Sequence, residues 1–340
     1  MDLLRRSKYY LRFLLALLIL LALSLAALCV GRYGNSPLET IRILAGQLLP
    51  IRQTWDESSA IVVLKNRLPR VLAAILVGAS LALSGTAYQG IFKNPLVSPD
   101  LLGVSTGASV GAASMILLGL GAGMIQLGAF TGGLVAVALT VTIPRFMKNN
   151  STLVLVLSGI IVQGFMSAVM GLLKYVADPE SELAEITHWQ MGRISNVLMA
   201  DVLDVLPAVA VATGILLLLR WQINVLSMGD ADAEALGVNI KLVRGLSVLC
   251  ATVVTACSVC ISGVVSWVGL IVPHMCRMLV GPDNVRAMPM SILMGASFML
   301  VVDTLARTVS TTEIPLSIIT GFLGAPLYAW LLYRQKVKVK

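Results

Sequence analysis

Charge is the scarcest property of this sequence: Asp, Glu, Lys and Arg together make up 12% of its 340 residues, while 57% are hydrophobic. An ordinary soluble domain is roughly 25% charged, and a soluble fold of this length has no interior large enough to hide so much apolar surface. Apolar stretches of about 20 residues, each sufficient to cross a bilayer as a helix, follow one another with few interruptions, so lipid is the solvent of most of this chain. Histidine is nearly missing as well. His188 and His274 are the only two, and Cys257-x-x-Cys260 has no second cysteine pair to complete a zinc or redox site. The five cysteines, Cys29, Cys250, Cys257, Cys260 and Cys276, all lie in or beside apolar segments, where a thiol behaves as a small hydrophobe; neither a metal site nor a disulfide framework is expected. The sequence has no G-x-x-x-x-G-K-S/T phosphate loop, which excludes ATP hydrolysis by this chain itself. Nor does an H-E-x-x-H or another recognisable catalytic constellation support a membrane enzyme.

The charge that is present has a pattern. The net charge is +8, yet the basic residues stand at the ends and between apolar runs, so they read as topology signals and not as a nucleic-acid footprint. Arg5, Arg6 and Lys8 precede an apolar run from Tyr9 to Val30 that is longer than the roughly 7–15 residues of a secretory signal core. A retained first span with its amino end in the cytoplasm is expected. The polar stretch from Gly31 to about Glu57 reads as external, with a short surface helix. No formal charge falls between Val71 and Phe92, and only Asp100 between Asn94 and Pro144; this predicts one span and then two, the pair turning at residues 119–123. Leu153 to Leu173 predicts another, followed by an external acidic patch of Asp178, Glu180, Glu182 and Glu185. A span over Val202 to Leu219 leads to Arg220 and to the main cytoplasmic loop, which ends at Arg244.

From Gly245 to Cys276 there is again no formal charge, but the stretch is too long for one helix and Gly263, Gly269 and Pro273 interrupt it. It predicts a span followed by a broken or short one, either a transport pathway, where freed backbone groups face protein or water, or a mere kink. Met288 to Val302 and Pro315 to Leu332 bring the count to about ten, with Arg334, Lys336, Lys338 and Lys340 holding the carboxyl end inside. Small residues at four-residue spacing, Gly103, Gly107 and Gly111 and also Gly78 with Ala82, predict close helix approach. Asp303 is the one acidic residue well inside the late spans, a functional candidate by its placement; pairing with Arg307, one turn on, is its expected role.

Four blocks sharpen this picture. RLPR at 67–70 leads into GASLALSGTAYQGIFKNPLVSPDLLGVSTGAS at 78–109; SMGDADAEALGV occupies 227–238; SGVVSWVGLIVPHMCR occupies 262–277; and GASFMLVVDTLAR at 295–307 precedes EIPLSIITGFLGAP at 313–326. In these blocks and in their order, from about residue 67 to the carboxyl end, the chain resembles the FecCD-type permeases, the membrane subunits of ABC importers for iron-siderophores, haem and cobalamin. The resemblance implies a single all-α permease domain over residues 1–340, with about ten transmembrane helices and both termini cytoplasmic, in the bacterial plasma (inner) membrane. It implies that 227–238 is a coupling segment seated on a cytoplasmic ABC ATPase, in which Gly229 and Gly237 bracket a short acid-bearing helix with Asp230, Asp232, Ala233 and Leu236; by residue type alone the same stretch reads as a solvated loop.

It also implies that Arg67, Arg70 and Arg307 face outward and pair with glutamates of an external substrate-binding protein, against interfacial snorkelling as the alternative. Pathway or structural roles follow for Pro95, Gly103, Pro273 and His274, and for Asp303, Pro315, Ser317 and Gly324. Many relatives carry glycine where Ser317 stands, which leaves the cargo open. No cofactor is expected on the chain itself; ATP is used by the partner subunits. A second permease copy completes a homodimer or close heterodimer in membrane lipid, and nucleic acid has no part. The implied cargo is a ferric siderophore, with haem or cobalamin next. The rival classes are an ion-coupled secondary transporter and, more distantly, a membrane-embedded enzyme.

Overall fold

Apolar runs with no water to solvate their backbone must bond their own N–H and C=O groups, and a helix does this within one segment. The computed structural model describes residues 2–31, 34–47, 49–50, 52–148 and 151–339, and all of the regular structure in them is helical. In chain order, α1 (Asp2–Cys29) is followed by α2 (Pro37–Ala45), where Ser36 caps the first turn by accepting from the Glu39 N–H at 3.1 Å. Next, α3 (Glu57–Ile61) passes through a wider π-type stretch (Val62–Arg67) into α4 (Leu68–Ile91) without a break. A 3-10 turn (Pro99–Leu102) opens α5 (Val104–Leu117), which is followed by α6 (Ala122–Phe146), α7 (Thr152–Val176), the short α8 (Glu182–Gln190) and α9 (Met199–Leu218). Two short helices, α10 (Arg220–Met228) and α11 (Asp230–Ala235), lead to α12 (Ile240–Ser262), α13 (Val268–Val280), α14 (Asn284–Thr308) and α15 (Leu316–Val339).

Among the described residues seven helices are long and apolar enough to cross a membrane, and α5, α13 and residues 316–331 of α15 form three shorter apolar ones. Lys340 lies outside the described residues, as do the side chains of Arg5, Arg6, Arg334, Lys336 and Lys338.

Helix α4 is the centre of the bundle and is buried along most of its length, whereas α1 lies along its flank with few buried residues. Two glycine contacts fix the packing. A Cβ on Gly78 of α4 would stand 2.2 Å from the Gly295 carbonyl of α14, and one on Gly111 of α5 would stand 1.9 Å from the Gly128 carbonyl of α6; at such distances only hydrogen fits, so the backbones touch. The α4–α12 seam is polar. Tyr88 and Thr252 share a hydrogen bond at 3.0 Å, and Thr255 donates to Ser84 at 2.8 Å. Buried hydroxyls elsewhere bond back to their own helix, as Ser109 does to the Ser105 carbonyl at 2.8 Å. Gly107-Ala108-Ser109-Val110-Gly111 does match G-x-S-x-G, but it lies within α5 and lacks the strand-to-helix elbow that would expose a nucleophile.

The helix that carries RLPR is already continuous from Glu57, ahead of the apolar run that begins at Val71. Two sequence expectations need correction. Gly103 is not part of the close-packing stripe: its φ of 84° makes it the left-handed joint between the 3-10 turn and α5. Pro273 does not interrupt the chain, being buried inside α13. The break lies earlier, between α12 and α13, where Gly263 (φ 67°) and Trp267 (φ 72°) both take left-handed backbone. That irregular segment is braced by backbone bonds: Arg193 N–H donates to the Ser262 carbonyl at 2.8 Å, and Leu316 and Ser317 N–H donate to the Gly192 and Met191 carbonyls at 3.0 and 3.1 Å.

Candidate functional site

At the end of the bundle where α1, the π-type stretch and α14 meet, three arginines gather beside two carboxylates, and two of the three pair with them. Arg70 on α4 donates through Nε to Asp303 Oδ1 at 2.8 Å and through Nη1 to Glu313 Oε1 at 2.7 Å. Arg307, one turn along α14 from Asp303, brings its Nε to 3.6 Å of Asp303 Oδ2 and donates through Nη2 to the Ala27 carbonyl. Arg67 donates through Nη1 to the Leu28 and Cys29 carbonyls, both at 2.9 Å. The last carbonyls of α1 have no partner within their own helix and carry its negative dipole end, so the C-terminus of α1 serves as part of the counter-charge. Asp303 is fully buried, while the Glu313 side chain keeps 37% of its exposure. Three guanidinium groups against two carboxylates leave the cluster cationic.

Two cavities flank it. One of about 410 Å³ is lined by Arg70, His188, Arg193, Asn196, Glu313 and Pro315 among others, and one of about 400 Å³ by Asn66, Arg67, Arg70, Arg307 and Glu313. The sequence paired Asp303 with Arg307. The structure keeps that pair but gives Asp303 a closer one, Arg70, and adds Glu313, a residue sequence reasoning quoted in a motif without singling out. Its position just before Pro315 was the available signal. All three arginines are buried within this chain, so in this conformation they do not face outward as free cations.

The opposite end is built differently. Lys93, just past α4, and Arg244 on α12 both bond Asp230 at the start of α11, at 3.2 and 3.1 Å. Burial pushes the Asp230 carboxyl up, but Arg244 and then Lys93 outweigh it and hold it below the usual carboxylate range. Gly237 has a φ of 74° and open space around it, the left-handed turn that ends this short helix. Ala233 is fully buried against the bundle, while Asp232 is exposed and Leu236 and Met228 project at 56% and 67% exposure. The segment is an anchored helix that exposes Asp232 and Glu234 and is flanked by the exposed apolar side chains of Met228 and Leu236.

The chain as a whole has counterparts among known proteins. The model of the FecCD transport family matches residues 17–334. The chain belongs to the FecCD transport family. It is 38% identical to the molybdate import system permease protein MolB of Haemophilus influenzae over 94% of both chains, and 40% identical to an iron chelatin transport system permease of Helicobacter pylori over 82% of this chain and 84% of that one. Other relatives are named for hemin, cobalamin and vitamin B12. A solved metal-chelate type ABC transporter in an inward-facing conformation is 37% identical and superposes with a TM-score of 0.85, covering 95% of this chain and 98% of that one. The protein is thus a multi-pass ABC importer permease of the metal-chelate type.

The remaining residues singled out in this FecCD permease fall into separate places. Pro95 is exposed in the loop after α4, beside Lys93. His274 is buried on α13, its ring 6.1 Å from that of Tyr328. Gly324 on α15 packs against Trp267 and Ile271, where a Cβ would meet atoms at 2.7 to 3.0 Å. Pro315 and Ser317 sit at the start of α15 beside the braced break, and Ser317 presents its backbone N–H, not its hydroxyl, to Met191.

Proposed function

We propose that this FecCD permease carries a ferric siderophore, and that it works as one half of a homodimer in the bacterial plasma membrane. Each copy has ten crossings, the three shorter apolar helices counted with the seven long ones, and both termini in the cytoplasm. The observation that carries the reading is the contrast between the ends: a cationic cluster beside two cavities at one, and an anchored short helix with exposed Leu236 and Met228 at the other. The second end is the seat of a cytoplasmic ATPase. Movement imposed on α11 passes through Lys93–Asp230 to α4 and through Arg244 to α12, the two helices that form the polar seam of the bundle. The first end receives a binding protein, whose carboxylates take over Arg70 and Arg307 from Glu313 and the α1 carbonyls. ATP binding and hydrolysis in the partner then open the pathway alternately to either side, with the irregular 263–267 segment and the start of α15 as its wall; backbone of this kind is tolerated at membrane depth where it lines a cavity.

The iron chelatin relative and the metal-chelate transporter support a siderophore. The molybdate relative, matched over nearly the whole of both chains, supports a second reading in which the cargo is an oxyanion. Haem and cobalamin stand behind these. The test is uptake into proteoliposomes holding this chain, a candidate Walker-type ATPase and a candidate binding protein, with labelled ferric siderophore, molybdate, haem and cobalamin offered in turn and Gly237→Trp as control. The expected result is siderophore uptake that needs ATP and all three components and is lost in the control. Uptake of another cargo alone overturns the cargo assignment, and uptake driven by an ion gradient without the ATPase overturns the importer mechanism.

A further inference from the structure

A third cavity lies at the α11 end, apart from both sites described above. Its volume is about 420 Å³, and it is enclosed by the first turns of α1 and the α13–α14 connection. Lys8, Arg12 and Arg286 line it, with Tyr9 and one acid, Asp283. Asp283 is already committed: its Oδ1 accepts from the Val285 N–H at 2.9 Å as the cap of α14, and its Oδ2 lies 3.8 Å from Arg286. The cavity therefore holds a surplus of two positive charges. Its shape is fixed by contacts across the chain. Arg12 donates to the Leu279 carbonyl, the Tyr9 hydroxyl donates to the Arg286 carbonyl at 3.4 Å, and the Arg286 guanidinium stands 5.8 Å from the centre of the Tyr9 ring. That it shares the α11 end follows from Asn224 of α10, whose side chain accepts from the Asn284 N–H at 3.0 Å.

A second observation says what kind of anion fits. Residues three and four apart share one face of a helix, so Lys8, Leu11, Arg12, Leu15, Leu18 and Ile19 form one stripe along α1. Beyond its two cations the stripe is apolar and uncovered, with Leu11, Leu15, Leu18 and Ile19 between 49% and 58% exposed. A soluble phosphate would use the cations and leave the stripe bare. From this geometry we infer that the cavity binds the phosphodiester headgroup of an anionic phospholipid, with an acyl chain laid along α1. Lys8, Arg12 and Arg286 hold the phosphate oxygens, and Tyr9 sits at headgroup depth, where tyrosine is favoured. The lipid thereby ties the first span, otherwise the least buried of the long helices, to the α13–α14 connection.

The test uses the full chain, purified in mild detergent and stripped of lipid, with bound lipid counted by native mass spectrometry. Phosphatidylglycerol and phosphatidylcholine of the same acyl chains are titrated separately, and glycerol phosphate is added as a competitor. Wild type is expected to retain phosphatidylglycerol about tenfold better than phosphatidylcholine, with no displacement by glycerol phosphate. Lys8→Gln, Arg12→Gln and Arg286→Gln are each expected to weaken that preference by roughly fivefold, while Lys241→Gln at the start of α12 leaves it unchanged. Equal retention of the two lipids by wild type overturns the inference without need of any variant. Displacement by glycerol phosphate at matching concentration makes the cavity a free-phosphate site and also overturns it, as does a preference that survives all three substitutions.

Discussion

The two ends of this permease treat charge in opposite ways. At the arginine end, the charges are paired inside the chain and all but Glu313 are buried: Arg70 holds Asp303 and Glu313, while Arg67 and Arg307 close on the carbonyls that end α1. At the α11 end Asp230 and Lys93 are half-exposed, and Asp230 shares Lys93 and Arg244 over a short helix flanked by exposed Met228 and Leu236. On the proposed reading the two ends are partner surfaces held in different states: the α11 surface stands ready, whereas the arginines are released before they serve a partner, with Glu313, the half-exposed member, as the point where release begins.

The largest effect is expected from Arg70→Met. It strands Asp303 as a buried carboxylate with only Arg307 at 3.6 Å, and breaking such a pair from one side costs about 3–5 kcal/mol. Thermal unfolding in detergent should show the loss, and adding Asp303→Leu should restore most of it; a double variant as unstable as the single one would break the claim that the charge, not the packing, is at fault. Gly78→Leu comes next. It drives side-chain atoms into the Gly295 carbonyl and should cost about 1–3 kcal/mol or prevent assembly of α4 against α14, measured by the same unfolding.

The smallest effect is expected at Asp230. Its carboxyl is held below the usual range, so the stability it contributes is complete above about pH 4, the ordinary carboxylate value, and fades as the pH falls through its lowered value. Asp230→Asn should cost under about 1 kcal/mol at pH 7, and that difference should shrink as the pH falls through the lowered value. A loss at pH 7 as large as that of Arg70→Met would erase the contrast between the ends.

Much of the helical framework could be read from the sequence, because an apolar run bounded by charges has few other structures available in lipid. The turn before α6, the α11 segment between its two glycines and the irregular stretch after Gly263 all announced themselves locally. The arginine cluster did not. Arg70 meets Asp303 and Glu313 across more than 200 residues of chain, a pairing that depends on α4 packing against α14 and on where the chain turns after Thr308. The same long-range packing buries the arginines that the family resemblance implied would face outward. Pro273 misled for a simpler reason. The backbone break needs positive φ, which proline cannot adopt, so the break fell on Gly263 and Trp267 instead.

The account's central claim is that the ends are separate partner surfaces, one held shut and one open. The most direct measurement is the affinity of the chain in nanodiscs for its ATPase and, separately, for its binding protein, in wild type, Glu313→Gln and Leu236→Asp. Glu313→Gln should strengthen binding-protein docking severalfold and leave the ATPase untouched, and Leu236→Asp should weaken the ATPase by tenfold or more and leave the binding protein untouched. If both substitutions changed both affinities alike, or if Glu313→Gln weakened binding-protein docking, the claim would be contradicted.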